Sequence, residues 1–170
     1  MATAVRSELA VADAEQLIFH EARLIDERQF EAWLELFTDD GLYWLPIDES
    51  GGEQTISTIL DDAERRSERV FRLLHTPVPA QTPPSRTVHL VTNVQVDEPA
   101  ENGDAVVRCN MLIGEMRPGG PLQLNLGHQQ LLVGRCEYRF REVGGEWKIS
   151  LKKVMLLNAD RPIGNLTFIV

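Results

Sequence analysis

YRFREVGGEWKISL, residues 138–151, is the segment with the clearest local structure in the sequence. Apolar and polar residues alternate on both sides of Gly144-Gly145, which is the pattern of two strands joined by a two-residue turn. This turn places Phe140 opposite Ile149, so the apolar residues of both strands share one face. We therefore predict an antiparallel hairpin with one buried face.

The alternating pattern extends through the second half of the chain, where Asn102-Gly103 gives another turn signal. It predicts neighbouring antiparallel strands at 86–96, 105–117, 122–143 and 146–158. One face of the second strand is wholly apolar, with Ala105, Val107, Cys109, Met111 and Ile113. A meandering antiparallel sheet follows from these segments.

The turn RPGGP suggests how the second and third of these strands pair. If Arg117 lies opposite Leu122, His128 comes onto the buried face. Cys109 and Cys136 then face other residues and are expected to stay unbonded. In the first strand, Val88 and Leu90 take the apolar positions, so His89 is expected outside the buried face.

The first part of the chain has helical periodicity instead. Asp13 begins a capping-box pattern, apolar residues then recur at helical spacing, and residues 42–45 and 54–60 suit short strands between helices. We predict one α+β domain over residues 1–170. Its helices lie mainly within 10–74, its sheet mainly within 86–158, and an apolar C-terminal tail covers 159–170.

Composition excludes several classes of function. The net charge of −9 argues against nucleic acid or an anionic membrane as partner, because both require clustered Lys and Arg. No apolar run approaches the ~20 residues that span a bilayer, and the N-terminus lacks the apolar stretch of a signal peptide. We expect a cytoplasmic protein.

Motifs for cofactors are missing from the sequence. It has no glycine-rich nucleotide loop, no nucleophile elbow and no close pair of histidines for a metal. We expect this chain to hold no metal and no cofactor. The best acid–base candidate is His128, with Asp39, Asp40 or Tyr43 as its partner at the mouth of the interior. The alternative for His128 is a hydrogen-bonded core histidine.

Some apolar residues have no partner within the predicted sheet. The uninterrupted hairpin register puts Val133 opposite Leu156 on the outer face, and a strand that is apolar on both sides is covered on both sides. A single chain would also expose the C-terminal tail. Candidate subunit contacts are therefore Trp44, Val133, Leu156, Leu166, Phe168, Ile169 and Val170.

Three longer stretches carry a family resemblance. They are EARLIDERQFEAWLELFTDDGLYWLPI, PPSRTVHLVTNVQV and YRFREVGGEWKISLKKVMLLNADRPIGNLTFIV, and with the helix DDAERRSERVFRLL they cover nearly the whole chain. In order and spacing the chain resembles the small (β) subunits of bacterial aromatic-ring-hydroxylating dioxygenases, the Rieske-type oxygenases. No catalytic residue transfers through this resemblance.

The resemblance implies a cone-shaped, cystatin-like or nuclear-transport-factor-like α+β fold, whose curved, mostly antiparallel sheet wraps the N-terminal helix. It also implies a partner, a large (α) subunit with a Rieske 2Fe–2S cluster and a mononuclear Fe(II). Such enzymes are commonly hexamers of three α and three β subunits, in which the β subunits form a trimer. The complex would add O2 to an arene with electrons from NAD(P)H.

Two functions are therefore compared. The first is a non-catalytic structural subunit of a dioxygenase in aromatic compound catabolism. The second is a free-standing cone-fold dehydratase or isomerase that uses a pocket histidine with an aspartate or tyrosine. The fold accommodates both, so the polarity of the interior distinguishes them. An enzyme needs several inward polar groups, whereas the predicted buried face is almost wholly apolar except for His128. A simple dimerising module is a weaker third hypothesis.

Overall fold

The computed structural model describes residues 8–48, 52, 54, 56–76, 79, 82–119, 127–161, 163 and 166–170. The helices are α1 (Val11–Asp26), α2 (Phe30–Glu35) and α3 (Ala63–His75). The strands are β1 (Phe37–Pro46), β2 (Ser57–Asp61), β3 (Arg86–Asp97), β4 (Ala105–Met116), β5 (Gln129–Val143) and β6 (Glu146–Leu156). Residues 122–126, expected to begin the third long strand, lie outside the described residues.

The strands form one curved sheet in the order β2-β1-β6-β5-β4-β3. All neighbours are antiparallel except β1 and β6, which run parallel. Helix α1 packs along β3 on the inner face of the sheet. The expected α+β fold, a curved and mostly antiparallel sheet around the N-terminal helix, is confirmed.

The core lies between α1 and the inner face. Residues Ile18, Ala22 and Ile25 of α1 are buried at helical spacing, so one side of the helix faces the sheet. The predicted apolar face of β4 is confirmed as part of this core, with Ala105, Val107, Cys109, Met111 and Ile113 all buried.

The hairpin between β5 and β6 has the predicted turn, and Phe140 lies opposite Ile149. Gly144 and Gly145 have φ values of 63° and 88°, a conformation that glycine adopts without a steric penalty. Two such residues in succession match the twist of the flanking strands. The turn and the first pairs of this hairpin are therefore confirmed.

The register of the hairpin then shifts. Ser150 enters β6 as an extra residue, so Tyr138 lies opposite Lys152 rather than Leu151. A shift of one residue exchanges the two faces of everything that follows. Leu156 is therefore buried in the core, and the prediction that it lies on the outer face opposite Val133 is wrong.

The predicted pairing of β4 with β5 is also wrong, because the tight turn expected after Arg117 is replaced by a longer connection. Met116 pairs with Gln129, and Cys109 lies opposite Cys136, six positions beyond the predicted partner. An even shift keeps the same residues on the inner face and changes only their partners. The two cysteines are free thiols that face each other.

The first half of β3 presents the opposite face from the one predicted, whereas Val94 and Val96 in its second half pack against the core as expected. His89 is buried on the inner face opposite Ile113, while Val88 and Leu90 point outward and are exposed. Asn93, with φ 56°, lies where the pairing with β4 slips, and asparagine tolerates this left-handed conformation better than most residues. The prediction that His89 lies outside the interior is therefore wrong.

Candidate functional sites inside and outside the sheet

A charged pair lies within the core. Nζ of Lys152 donates to Oε1 of Glu21 over 2.7 Å, and both side chains are fully buried. Nε1 of Trp33 donates to the same oxygen over 2.8 Å, and the hydroxyl of Tyr138 donates to Oε2 over 2.9 Å. We call these four residues the polar cluster. Its carboxylate has a counter-charge and a donor at each oxygen, as a buried ion requires.

Titratable groups around the polar cluster are kept in their neutral forms. Burial, and then the charge of Glu21, raise the pKa of Tyr138 well above its usual value. Burial likewise raises the pKa of Tyr43. A hydrogen bond with Cys109, together with burial, raises the pKa of the Cys136 thiol. Phenols and thiols with raised pKa values supply neither a base nor a nucleophile near neutral pH.

Sequence reasoning missed the polar cluster. Glu21 lies among apolar residues at helical spacing, so its position on the buried side of α1 is visible in the sequence. Lys152 gives no such signal, because only the extra residue at Ser150 turns it inward. The expectation of an interior that is apolar except for His128 is wrong.

The structure does not bring the predicted acid–base residues together. His128 is exposed just before β5, whereas Asp39 and Asp40 are exposed near the other end of that strand. Asp40 pairs with Arg141 at 2.9 Å, which puts ~40 Å of extended strand between it and His128. The hydroxyl of Tyr43 is bonded to the backbone of the C-terminal tail. The longer connection between β4 and β5 explains why His128 stays outside.

The pair formed by His89 and Asp26 was also not predicted from the sequence. Nδ1 of His89 lies 2.6 Å from Oδ1 of Asp26, and Thr87 donates to the same oxygen over 2.8 Å. Burial raises the pKa of Asp26, but its hydrogen bonds with His89 outweigh that effect and lower it. The His89 side chain is enclosed, so the pair fastens the end of α1 to β3.

The described part of the chain contains no group of three His, Cys, Asp or Glu side chains that could hold a metal ion. Among the described helices, none combines the length and the apolar character needed to cross a membrane.

The outer face of the sheet carries an exposed apolar surface. Leu90 pairs with Leu112, which pairs with Val133, and the adjacent row runs from Val88 through Gly114 to Leu131. The exposed fractions are 58% for Val88, 52% for Leu90, 60% for Leu131 and 67% for Leu157. We define the outer apolar patch as Val88, Leu90, Leu112, Leu131, Val133 and Leu157. Contiguous apolar surface of this kind marks an interaction site.

Charged residues border the outer apolar patch on one side. Further along the same strands, Arg108 lies opposite Glu137, which lies opposite Lys153. Arg139 pairs with Glu137 at 2.9 Å. An apolar centre with a charged margin is the usual composition of a protein interface.

The predicted contact residues divide into two groups. Val133 is exposed, as expected, and belongs to the outer apolar patch. Trp44 is buried and donates to Ser57 over 2.8 Å, and Leu166 is half-buried. The expectation that a single chain exposes its tail is wrong for the last three residues, because the tail folds into the core around Tyr43: Phe168, Ile169 and Val170.

Comparison with known proteins relates the chain to dioxygenase subunits. It is 32% identical to the small oxygenase component of the p-cumate 2,3-dioxygenase system of Pseudomonas putida, covering 94% of this chain and 86% of that protein. It is 27% identical to the benzoate 1,2-dioxygenase subunit beta of Acinetobacter baylyi, covering 92% of each.

A solved structure has the same fold. The crystal structure of the β subunit of benzoate 1,2-dioxygenase from Burkholderia mallei superposes with a TM-score of 0.73 at 24% identity, covering 96% of this chain and 99% of that one. The family model described as ring hydroxylating beta subunit matches residues 20–160, which include the C-terminal part of α1 and the whole sheet. The chain therefore belongs to the family of ring-hydroxylating β subunits.

Proposed function

We propose that this chain is the non-catalytic subunit of its dioxygenase and serves the assembly of the complex. As a member of the family it is a β subunit of an aromatic-ring-hydroxylating dioxygenase, an oxidoreductase system of aromatic catabolism. Its relatives are named small oxygenase component and subunit beta, and both names imply a larger partner. We propose the large (α) subunit as that partner.

The iron belongs, in this proposal, to the large subunit. The described residues do not fit iron: Cys109 and Cys136 face each other without a third ligand, and His89 is engaged by Asp26. We assign the Rieske 2Fe–2S cluster and the mononuclear Fe(II) to the partner. The complex would add both atoms of O2 to an arene, with electrons from NAD(P)H in the cytoplasm.

The polar cluster supports the non-catalytic assignment. An acid–base enzyme needs a titratable group that can reach a substrate, with a pKa near the working pH. Here Glu21 is saturated by Lys152, Trp33 and Tyr138, and all four side chains are enclosed. The cluster is better suited to holding α1 and β6 in one arrangement than to turnover.

The outer apolar patch carries the proposal. Its two rows cross the adjacent strands β3, β4 and β5, so the apolar side chains form one continuous surface. Covering a large apolar side chain contributes on the order of 1.5–3 kcal/mol, and the patch holds several such side chains. We assign the patch to the contact with other copies of the chain, as a trimer within a hexamer of three α and three β subunits.

The isolated chain is expected to contain no iron and to have no oxygenase activity. With the large subunit, a reductase and NAD(P)H, the complex should consume O2 in the presence of an aromatic acid. Elemental analysis of the purified chain and O2 consumption with benzoate and p-cumate measure the two properties. Stoichiometric iron in the isolated chain, or turnover without the large subunit, would contradict the assignment.

Substituting Val133→Glu is expected to dissociate the oligomer of the isolated chain, because a carboxylate would have to be buried in an apolar contact. The matched control is Val143→Glu, the same substitution on the same strand and the same face but away from the outer apolar patch. Sedimentation velocity gives the mass, and circular dichroism verifies folding. If the two folded variants had equal oligomeric masses, the outer apolar patch would not form the contact between copies.

A further inference from the structure

A groove lies at the end of the sheet opposite to the outer apolar patch. It forms where the residues before and at the start of α1 meet the β3–β4 and β5–β6 hairpins, and its volume is about 1030 Å³. The patch lies around Leu131 and Val133, whereas the groove begins at Arg141, so ~30 Å of β5 separates them. One chain can therefore use both surfaces at once.

The groove has an apolar floor. Leu9 and Ala105 are buried beneath it, Trp147 is half-buried along it, and Val11 leaves 47% of its surface exposed. A partly exposed tryptophan beside an exposed valine offers apolar contact area to an incoming side chain. Tryptophan is also the side chain that attracts cations best through the face of its ring.

The rim of the groove is acidic. Its lining includes the carboxylates of Glu8, Asp97, Glu98, Asp104 and Glu142 and the guanidinium of Arg141, while Arg108, outside the lining, pairs with Asp97 at 2.5 Å. Within the described residues, Glu8 and Glu98 are exposed and take part in no ion pair. The local field therefore favours a positively charged occupant.

Arg141 offsets the charge of its own partner Asp104, but not that of the exposed carboxylates Glu8 and Glu98. Asp104 holds its guanidinium through two contacts of 3.0 Å, and Asp40 adds contacts of 2.9 Å. Burial raises the pKa of Asp104, but hydrogen bonds from Arg141, Ser150 and Asn102 outweigh it and lower the pKa. Both carboxylates thus stay ionised at neutral pH, and Arg141 is occupied by its own chain.

We propose that this groove docks a basic segment of the large subunit, with a Lys or Arg at the rim and an apolar side chain on the floor. The inference rests on the proposed function, since that function supplies the partner. A second copy of this chain is a poorer occupant of the groove than a basic segment, because the copy carries a net charge of −9 and the rim of the groove is acidic. The groove is thus assigned to the large subunit and the patch to the copies.

The test reverses charge at the rim. Glu8→Lys/Glu98→Lys is compared with Glu64→Lys/Glu68→Lys, which makes the same change in net charge at exposed positions of α3. The Kd between the large subunit and the full-length chain is measured at low and raised salt. We expect the rim variant to weaken binding at least tenfold and to flatten its salt dependence, because charge complementarity is screened by salt. The α3 variant should stay within about twofold of the wild type.

Trp147→Ala tests the floor of the groove separately. It should weaken binding of the large subunit without changing the salt dependence of that binding.

Equal Kd values for the rim and α3 variants would overturn the docking inference and leave the proposed function intact. A wild-type chain that binds no large subunit would instead overturn the proposed function. A changed mass of the isolated rim variant would assign the groove to a second copy. Tighter binding after removal of residues 1–7 would assign it to the chain itself, and either result contradicts the proposal.

Discussion

Deleting Phe168, Ile169 and Val170 is expected to unfold the chain at room temperature or leave it barely stable. All three side chains are buried in the core cluster. Removing three large apolar side chains costs roughly 5–9 kcal/mol at 1.5–3 kcal/mol each. A domain of this size has a total free energy of unfolding of about 5–15 kcal/mol. The deletion therefore removes most of what keeps the chain folded.

The tail is also held by polar contacts. The hydroxyl of Tyr43 accepts a hydrogen bond from the backbone nitrogen of Val170 over 2.9 Å and donates to its oxygen over 3.2 Å. Without the tail, a buried phenol loses both partners, which adds about 1–3 kcal/mol to the loss. Tyr43→Phe separates the two effects, since it keeps the apolar contacts and removes only the hydrogen bonds.

Urea denaturation followed by circular dichroism measures this prediction. The truncated chain should show no cooperative transition, or one at much lower urea, while Tyr43→Phe should lose only the hydrogen-bond contribution. Val143→Ala, on the exposed end of β5, serves as the neutral control. If the truncated chain kept its stability but had a reduced oligomeric mass, the tail would lie in the subunit interface and not in the core of its own chain.

The tail illustrates what local sequence patterns miss. Its apolar character is evident from the sequence. The groups that it contacts are the hydroxyl of Tyr43 and a core built from distant parts of the chain. No periodicity connects the two ends, so an apolar tail without a partner in sequence looks exposed. Burial of an irregular segment is decided by tertiary contacts, which a pattern of neighbours does not contain.

The sheet was predictable where a short-range signal set it. Gly144-Gly145 specifies its own turn geometry, so the pairing of Phe140 with Ile149 followed directly. The β4–β5 connection carries glycines and prolines without one defined turn, and its predicted partners were wrong although the buried face of β4 was right. Alternation determines the face of a strand, whereas only a defined turn determines its partners.

The bulge at Ser150 concealed the candidate site. If the alternation is continued past Ser150, it assigns Leu151 to the core and Lys152 to solvent. Each residue taken alone has the lower free energy in that arrangement. The actual register buries Lys152, and the buried ammonium group is compensated by an ion pair with Glu21 of α1. Pair interactions between distant residues thus override the preferences that a sequence pattern records.

Glu21→Gln is expected to lower the free energy of unfolding by about 3–5 kcal/mol, because it leaves the ammonium group of Lys152 buried without a counter-charge. Lys152→Met should cost a similar amount, since it leaves the carboxylate of Glu21 unpaired. Glu21→Gln preserves the side-chain length and Lys152→Met shortens it by one atom, so neither opens a large cavity. The loss then reports charge rather than packing.

The double variant Glu21→Gln/Lys152→Met distinguishes a structural pair from a catalytic one. Glutamine can still accept from Trp33 and bond to Tyr138, and methionine fills the volume of the lysine, so no buried charge remains unpaired. Replacing a buried ion pair by neutral groups of similar size is often nearly neutral for stability. The double variant should therefore be more stable than either single variant, and urea denaturation of all four proteins gives the coupling energy.

Turnover of the complex reconstituted with the double variant should stay near that of the wild type. If the double variant is stable but its complex has lost turnover by orders of magnitude, Glu21 takes part in chemistry and the non-catalytic assignment fails.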